Sequence, residues 1–346
     1  MGCPRALLAA VLLGLNYYLR CCGRDLAVRS PAVGALAANR LPAYLYQSNN
    51  DTKLLAHLTR AEGQGAGAPA FLEAHCAASP PSFNALVKAR MAHDRRLVLA
   101  ALTDKALVRR WAALRGVRTP EVLFASKTCA VPALGGAYAF KATHTTGCLV
   151  LVKNGRVVGH KPCGERRLAV GTFVTPALLA ALCERWTRTM YDVTQWAYSK
   201  LTPGVVAERL VYNGERPADD VKCFAYDGRT ALVQHVSNRF DGKSGRPRSA
   251  RKRDTFHDPR TGRRLKVRVD GQPAGAGLAP ARVRQAVEVC DSLARGLDFA
   301  RVDLFDSDGA FLLGEVTVYP KRGEHAFEPR AVDGALGRAW CIATNK

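Results

Sequence analysis

The chain has 346 residues, 48% of them hydrophobic, a composition ordinary for a globular protein and enough to bury a substantial core in one large or two to three small domains. Its net charge of +22 implies attraction to polyanions, whether nucleic acid, anionic lipid or an acidic glycan. The Arg/Lys-rich stretch Gly242 to Arg253 lacks the interleaved aromatics that stack on bases, so nucleic acid is set aside and an acidic sugar or polyglutamate-like acceptor suits the charge.

In chain order, residues 1–30 form a hydrophobic tail. Ala6 to Leu15 is apolar behind Arg5, yet shorter than the roughly 20 residues a bilayer span needs. The segment reads as a secretory signal, a short anchor or the first helix of a soluble protein, with membrane association through residues 5–20 as one expectation. Residues 31–81, rich in Ala, Gly and Pro, form a leader and linker. Helical periodicity runs from Phe83 to Arg115, with Lys105 at the start of a helical stretch that ends near Gly116 and Pro120, and strands begin near Val122. Tyr138 to Phe140 reads as a strand into Lys141, followed by the polar turn Thr143-His144-Thr145-Thr146-Gly147 and a second strand through Val152. Pro176 to Tyr198 is predicted helical, Gly204 to Val211 and Asp219 to Val236 extended, and Ala279 to Gly296 an amphipathic helix. The fold class is therefore α+β with mixed or antiparallel sheets.

Near the carboxyl end, FARVDLF and AFLLGEVTVY flank the turn Asp306-Ser307-Asp308-Gly309 and predict a β-hairpin. Asp303 and Glu315 then lie on paired strands, where two rigidly held carboxylates can give magnesium a partial shell and leave positions for water and phosphate. Thr317, two residues beyond Glu315, shares its face and can add a hydroxyl. Upstream, backbone N–H groups and hydroxyls of the 143–147 turn can cradle phosphate oxygens beside Lys141. This turn is not a P-loop, because no helix and no Gly-Lys-Ser/Thr follow it.

These pieces, in order, resemble the ATP-grasp proteins, and more narrowly their teichuronopeptide-biosynthesis branch, over Ser82 to Gly337. Ser82-Phe83-Asn84 is similar to the family's P-x-x-F-N-E-K, with Ala85 and Leu86 departing from it. Asp104-Lys105 with Val108-Arg109, Phe140-Lys141, and His144 to Gly147 continue the series, Thr145 and Thr146 standing where Gly and Ser are usual. So do Trp186, Tyr191, Trp196-Ala197-Tyr198 with Gln195 replacing Glu, Ala207-Glu208, Asp220-Val221-Lys222, Asn238-Arg239 and Phe256-His257-Asp258. Arg301-Val302-Asp303, Gly314-Glu315-Val316-Thr317, Pro320 and Gly323 complete it.

The resemblance implies two β-rich subdomains, 82–207 with the leading helices and 208–340 with the metal site, closing on ATP. It implies Lys105, Lys141 and the loop His144, Thr145, Thr146 and Gly147 on the phosphates, and Glu208 near adenine or ribose. Asp303, Glu315 and Thr317 fall to Mg2+, and Arg301, Lys222 and Arg239 to the transferred phosphoryl group or substrate. The implied reaction is a carboxylate–amine ligation through an acyl phosphate, in polysaccharide or glycopeptide biosynthesis. A glycan kinase or transferase, and a nucleotide- or glycan-binding module without turnover, are the alternatives, the latter motivated by Ala85, Gln195 and the His144 loop.

Eleven cysteines occur without a C-x-x-C pair or Cys/His ligand spacing, which argues against zinc. Cys148, Cys183, Cys223 and Cys290 sit in apolar contexts and are expected as reduced core residues, unless the amino terminus enters the secretory pathway and some of them pair. No G-x-S-x-G elbow supports a hydrolase.

Overall fold

The computed structural model describes residues 49–344 apart from 65–68, 78–80, 190–193, 215 and 239–251. The expectations for the amino-terminal tail and its membrane association, for Tyr191, for Arg239 and for most of the 242–253 stretch lie outside the described residues. Among those described, no helix is long and apolar enough to cross a membrane.

Five helices lead the described residues: α1 Asn49–Gln64, α2 Ala70–Cys76, α3 Phe83–His93, α4 Leu97–Thr103 and α5 Val108–Leu114. The helical stretch expected over 83–115 is divided into three because two aspartates compete for its amides. Asp94 accepts from the Arg96 N–H at 3.1 Å, and Asp104 accepts from Ala106 and Leu107 at 2.7 and 3.0 Å, so each starts a new helix rather than extending the last.

Next come β1 Val122–Ser126, β2 Tyr138–Ala142, β3 Leu149–Lys153, β4 Arg156–Lys161, α6 Pro176–Thr187 and β5 Val205–Arg209. The five strands form one antiparallel sheet in the order β1-β5-β2-β3-β4. Leu179, Leu182, Cys183 and Trp186 of α6 are buried in its core. The helix expected to reach Tyr198 ends at Thr187, and Trp196–Lys200 is a separate 3₁₀ turn in a different core.

The remaining chain holds β6 Tyr212–Asn213, β7 Arg216–Pro217, β8 Asp219–Tyr226, β9 Arg229–Ser237, β10 Arg253–His257, β11 Arg264–Leu265, β12 Arg268–Val269, α7 Pro280–Ala294, β13 Ala300–Ser307, β14 Ala310–Thr317, β15 Phe327–Glu328 and α8 Ala331–Thr344. A six-stranded antiparallel sheet runs β11-β10-β9-β8-β13-β14. The extended run 219–236 turns back on itself at Asp227-Gly228, both at positive φ (43° and 73°), as a tight hairpin requires. The architecture is thus the α+β class that the sequence predicts, its sheets antiparallel among the described residues.

One core joins the leading helices to the six-stranded sheet, α7 and α8. Phe83 of α3 meets Phe224 and Phe299 edge-on at 5.6 and 5.1 Å, and Trp340 of α8 stacks at 4.6 Å from Phe299. Burial of each such side chain is worth roughly 1.5–3 kcal/mol. The leading helices therefore group with the second sheet, not with the first as the division at 207–208 expects, and that boundary falls inside β5.

The expectation of reduced core cysteines is corrected. Cys76–Cys341, Cys129–Cys183, Cys148–Cys163 and Cys223–Cys290 are disulfides with Cα separations of 5.7, 5.4, 4.9 and 6.2 Å. A buried cystine half has the same apolar neighbours as a buried thiol, so context alone does not separate them. Such bonds persist in oxidising compartments. Peptide mapping without reductant is expected to recover these four linked pairs, and alkylation of all eight thiols in the native, unreduced protein would contradict it.

Candidate active site

A cleft of about 240 Å³ is lined by residues of both sheets. Strand pairing brings its acidic end together: Asp303 is the Cα partner of Lys222 on β8 and of Glu315 on β14. The pairing then shifts register, with Gly314 as the extra residue between Glu315 and Leu313. A Cβ at Gly314 would sit 3.0 Å from the Phe305 ring and 3.2 Å from the Asp303 carbonyl oxygen, so glycine lets the hairpin close.

Asp303 is buried and held by two cations. Arg301 donates Nε to Oδ1 and Nη2 to Oδ2, both at 2.7 Å, and Lys222 donates Nζ to Oδ2. Burial pushes the carboxyl up, but Arg301 and then Lys222 outweigh it and hold Asp303 at about 2. The Arg301 guanidinium loses from burial and gains more from Asp303, so it is raised. Its Nη2 also donates to Thr317 Oγ1 at 3.0 Å, and Thr317 in turn donates to Glu315 Oε1 at 3.4 Å. Glu315 is 45% exposed and opens into the cleft.

At the other wall, Lys141 of β2 and Glu208 of β5 meet. Glu208 is buried and accepts from Lys141 Nζ on Oε1 and from Arg109 Nη2 on Oε2. Arg109 also donates to the Pro120 carbonyl at 3.0 Å, and burial pulls it down to about 10. Breaking this network would leave a buried cation without its counter-charge, the expensive way to lose an ion pair.

The 143–147 loop bridges the two. Its backbone is docked by the Thr143 N–H on the Gly204 carbonyl at 2.9 Å and by the Lys105 N–H on Thr143 at 3.3 Å, while Lys105 Nζ donates to the Thr145 carbonyl. Burial lowers the Lys105 ammonium, with Glu315 and Asp104 opposing. His144 accepts on Nδ1 from the Gly204 N–H at 3.4 Å, which leaves Nε2–H to donate to the Trp186 carbonyl at 3.1 Å. Burial lowers its pKa, consistent with a neutral ring that anchors the loop. Thr146 and Gly147 line the cleft, and among the described residues their amide N–H groups have no acceptor.

Of the sequence-predicted site residues, Lys105, Lys141, Thr146, Gly147, Glu208, Lys222, Asp303 and Glu315 line this one cleft. Arg301 and Thr317 lie directly behind its carboxylates. His144 and Thr145 do not line it: both side chains are buried beneath the loop, because a short turn can present only part of itself to a ligand while the rest docks it. Sequence reasoning missed Arg109 as a site residue, although the D-K-x-x-V-R spacing contains it, and missed Lys161, which the register of β2, β3 and β4 brings beside Lys141.

No protein-family model matches the chain, and no curated protein matches it. Among solved structures it is similar to D-alanine–D-alanine ligase from Bacillus anthracis complexed with ATP, at 13% identity over 71% of this chain and 67% of that one, TM-score 0.40. The D-alanine–D-alanine ligase from Helicobacter pylori is similar at 12% identity, 78% and 68% coverage and TM-score 0.39. The L-amino acid ligase from Bacillus licheniformis is similar at 16%, 67% and 45%, and 0.37.

Proposed function

We propose that the protein is an ATP- and magnesium-dependent carboxylate–amine ligase of the ATP-grasp type, working through an acyl phosphate. The observation that carries this reading is the convergence of Asp303 and Glu315 with Lys105, Lys141, Thr146 and Gly147 on a single cleft between two antiparallel sheets. Residues separated by about 200 positions in the chain, and singled out for complementary parts of one phosphate chemistry, line the same cavity.

The donor set suits magnesium. A carboxylate offers about four acceptor positions. Among the described residues, Arg301 and Lys222 occupy three on Asp303, which leaves one on Oδ1, and Glu315 has only Oε1 engaged. Asp303 and Glu315 would hold the ion, which when bound neutralises phosphate charge while keeping positions for water and phosphate oxygens. Arg301 and Lys222 keep Asp303 ionised and supply preplaced positive charge beside it, and Thr317 fixes the rotamers of Arg301 and Glu315. Glu208 and Arg109 hold Lys141 at the cleft wall.

In the ligation, a carboxylate oxygen of the acid takes the γ-phosphoryl group and ADP leaves. The amine then attacks the acyl carbon, phosphate departs, and the amine gives up its proton. The basic surface favours an acidic sugar or peptide substrate, in keeping with a role in polysaccharide or glycopeptide synthesis. Mixtures of acids and amines are to be screened for phosphate release from ATP together with product mass. Release that needs both partners and falls at least about a hundredfold in Glu315→Gln is the expected result. ADP formation with phosphate retained on a hydroxyl acceptor would establish a kinase instead, and absence of ATP binding would overturn the nucleotide reading.

A further inference from the structure

The cleft carries more positive charge at its phosphate end than the resemblance accounts for, and most of that charge is already engaged. Lys141 donates to Glu208, Lys222 to Asp303, and Lys105 to the Thr145 carbonyl. Lys161, at the end of β4, also lines the cleft and is exposed, yet its ammonium has no hydrogen-bond or ion-pair partner among the described residues. Sheet register explains its position. Lys141 pairs with Leu149, and Leu149 with Lys161, so the two lysines flank Leu149 on one face two strands apart. Its methylenes run beside the loop: a Cβ built on Gly147 would sit 3.6 Å from Lys161 Cε and 3.8 Å from Cys163 Sγ. Cys148, the residue after Gly147, is bonded to Cys163, so the loop and the chain leaving Lys161 are covalently tied. Lys153, the other lysine of this sheet face, lies at the opposite end, roughly 13 Å along β3 from Leu149 at about 3.3 Å per residue.

We propose that Lys161 is a further nucleotide-phosphate contact, held beside Gly147 by the Cys148–Cys163 bond. The assignment rests on the nucleotide reading above and deepens it. A cation whose charge is spent on a protein carboxylate adds little net attraction for an incoming anion. A solvated lysine at the mouth of the loop can turn its full charge toward phosphate oxygens, in charge-assisted hydrogen bonds with the free N–H groups of Thr146 and Gly147 alongside.

Calorimetric titration of ATP, ADP and adenosine, with magnesium, into wild type, Lys161→Ala and Lys161→Arg tests this. Lys161→Ala is expected to weaken ATP and ADP about tenfold or more and to leave adenosine unchanged, while Lys161→Arg stays within a few-fold of wild type. Unfolding midpoints equal to wild type would show that the exposed substitution leaves the fold intact. ATP affinity within twofold of wild type in Lys161→Ala, or equal losses for ATP and adenosine, overturns the assignment and leaves the nucleotide reading standing. A wild-type chain that binds none of the three overturns both.

Discussion

Asp303→Asn is expected to lower ATP turnover by at least about a hundredfold while the chain remains folded. The carboxylate is the meeting point of Arg301 and Lys222, and its charge is what a divalent cation would share with Glu315. Asparagine keeps the shape and loses the charge. Folding survives because each cation retains another carboxylate, Lys222 with Asp220 and Arg301 with Glu315, both at 3.7 Å. Steady-state turnover with and without added magnesium, set beside a thermal unfolding curve, checks both halves. Turnover within threefold of wild type would remove Asp303 from the chemistry. The same residue contributes to stability with a defined pH window. Its ordinary value of 3.8 falls to about 2 in the fold, so its contribution is present above about pH 4 and is lost as pH falls through 2.

Asp298→Ala is expected to cost about 3–5 kcal/mol of folding free energy. Asp298 is buried where four parts of the chain meet: it accepts from Arg90 at the end of α3, from Arg96 at 2.7 Å before α4, and from Trp340 Nε1 of α8 at 2.9 Å, next to Phe299 at the head of β13. Burial alone would raise its pKa, but Arg90 and then Arg96 hold it lowered. Arg90 is itself fully buried, with its guanidinium 4.4 Å from the Trp340 ring. Removing the carboxylate strands that charge in the aromatic core. Urea unfolding followed by tryptophan fluorescence measures the loss, and a value below about 1 kcal/mol would show that Asp94 carries the pairing instead, since Arg90 lies 3.7 Å from it.

Much of the acidic end of the cleft is legible in the residues because it is local. Alternation in FARVDLF and AFLLGEVTVY fixes which side chains share a face, but the Asp-Gly turn alone sets a register that opposes Asp303 to Gly314, and the bulge at Gly314, which alternation does not show, brings Glu315 opposite Asp303. The 143–147 loop is legible as strand, turn and strand, but a turn has no period, so nothing in it distinguishes Thr146, which faces the cleft, from His144 and Thr145, which anchor it. Long-range pairings are illegible for a different reason. Glu208 and Arg109 are 99 positions apart, and Cys76 and Cys341 are separated by 265, so only the folded chain makes them neighbours. The packing of Phe83 against the second sheet is hidden likewise, since an apolar helix face does not declare which sheet it covers.

That shared core constrains how the two walls can move. Chain leaves the large body at Pro120 to enter β1, returns to it at Trp196 to Leu201 before β5, and returns again after Leu210 and Val211. A lid tethered so often has few rotational freedoms. For the nucleotide proposed above, entry is expected through a small rocking of the five-stranded wall, limited by three chain connections rather than by a single hinge.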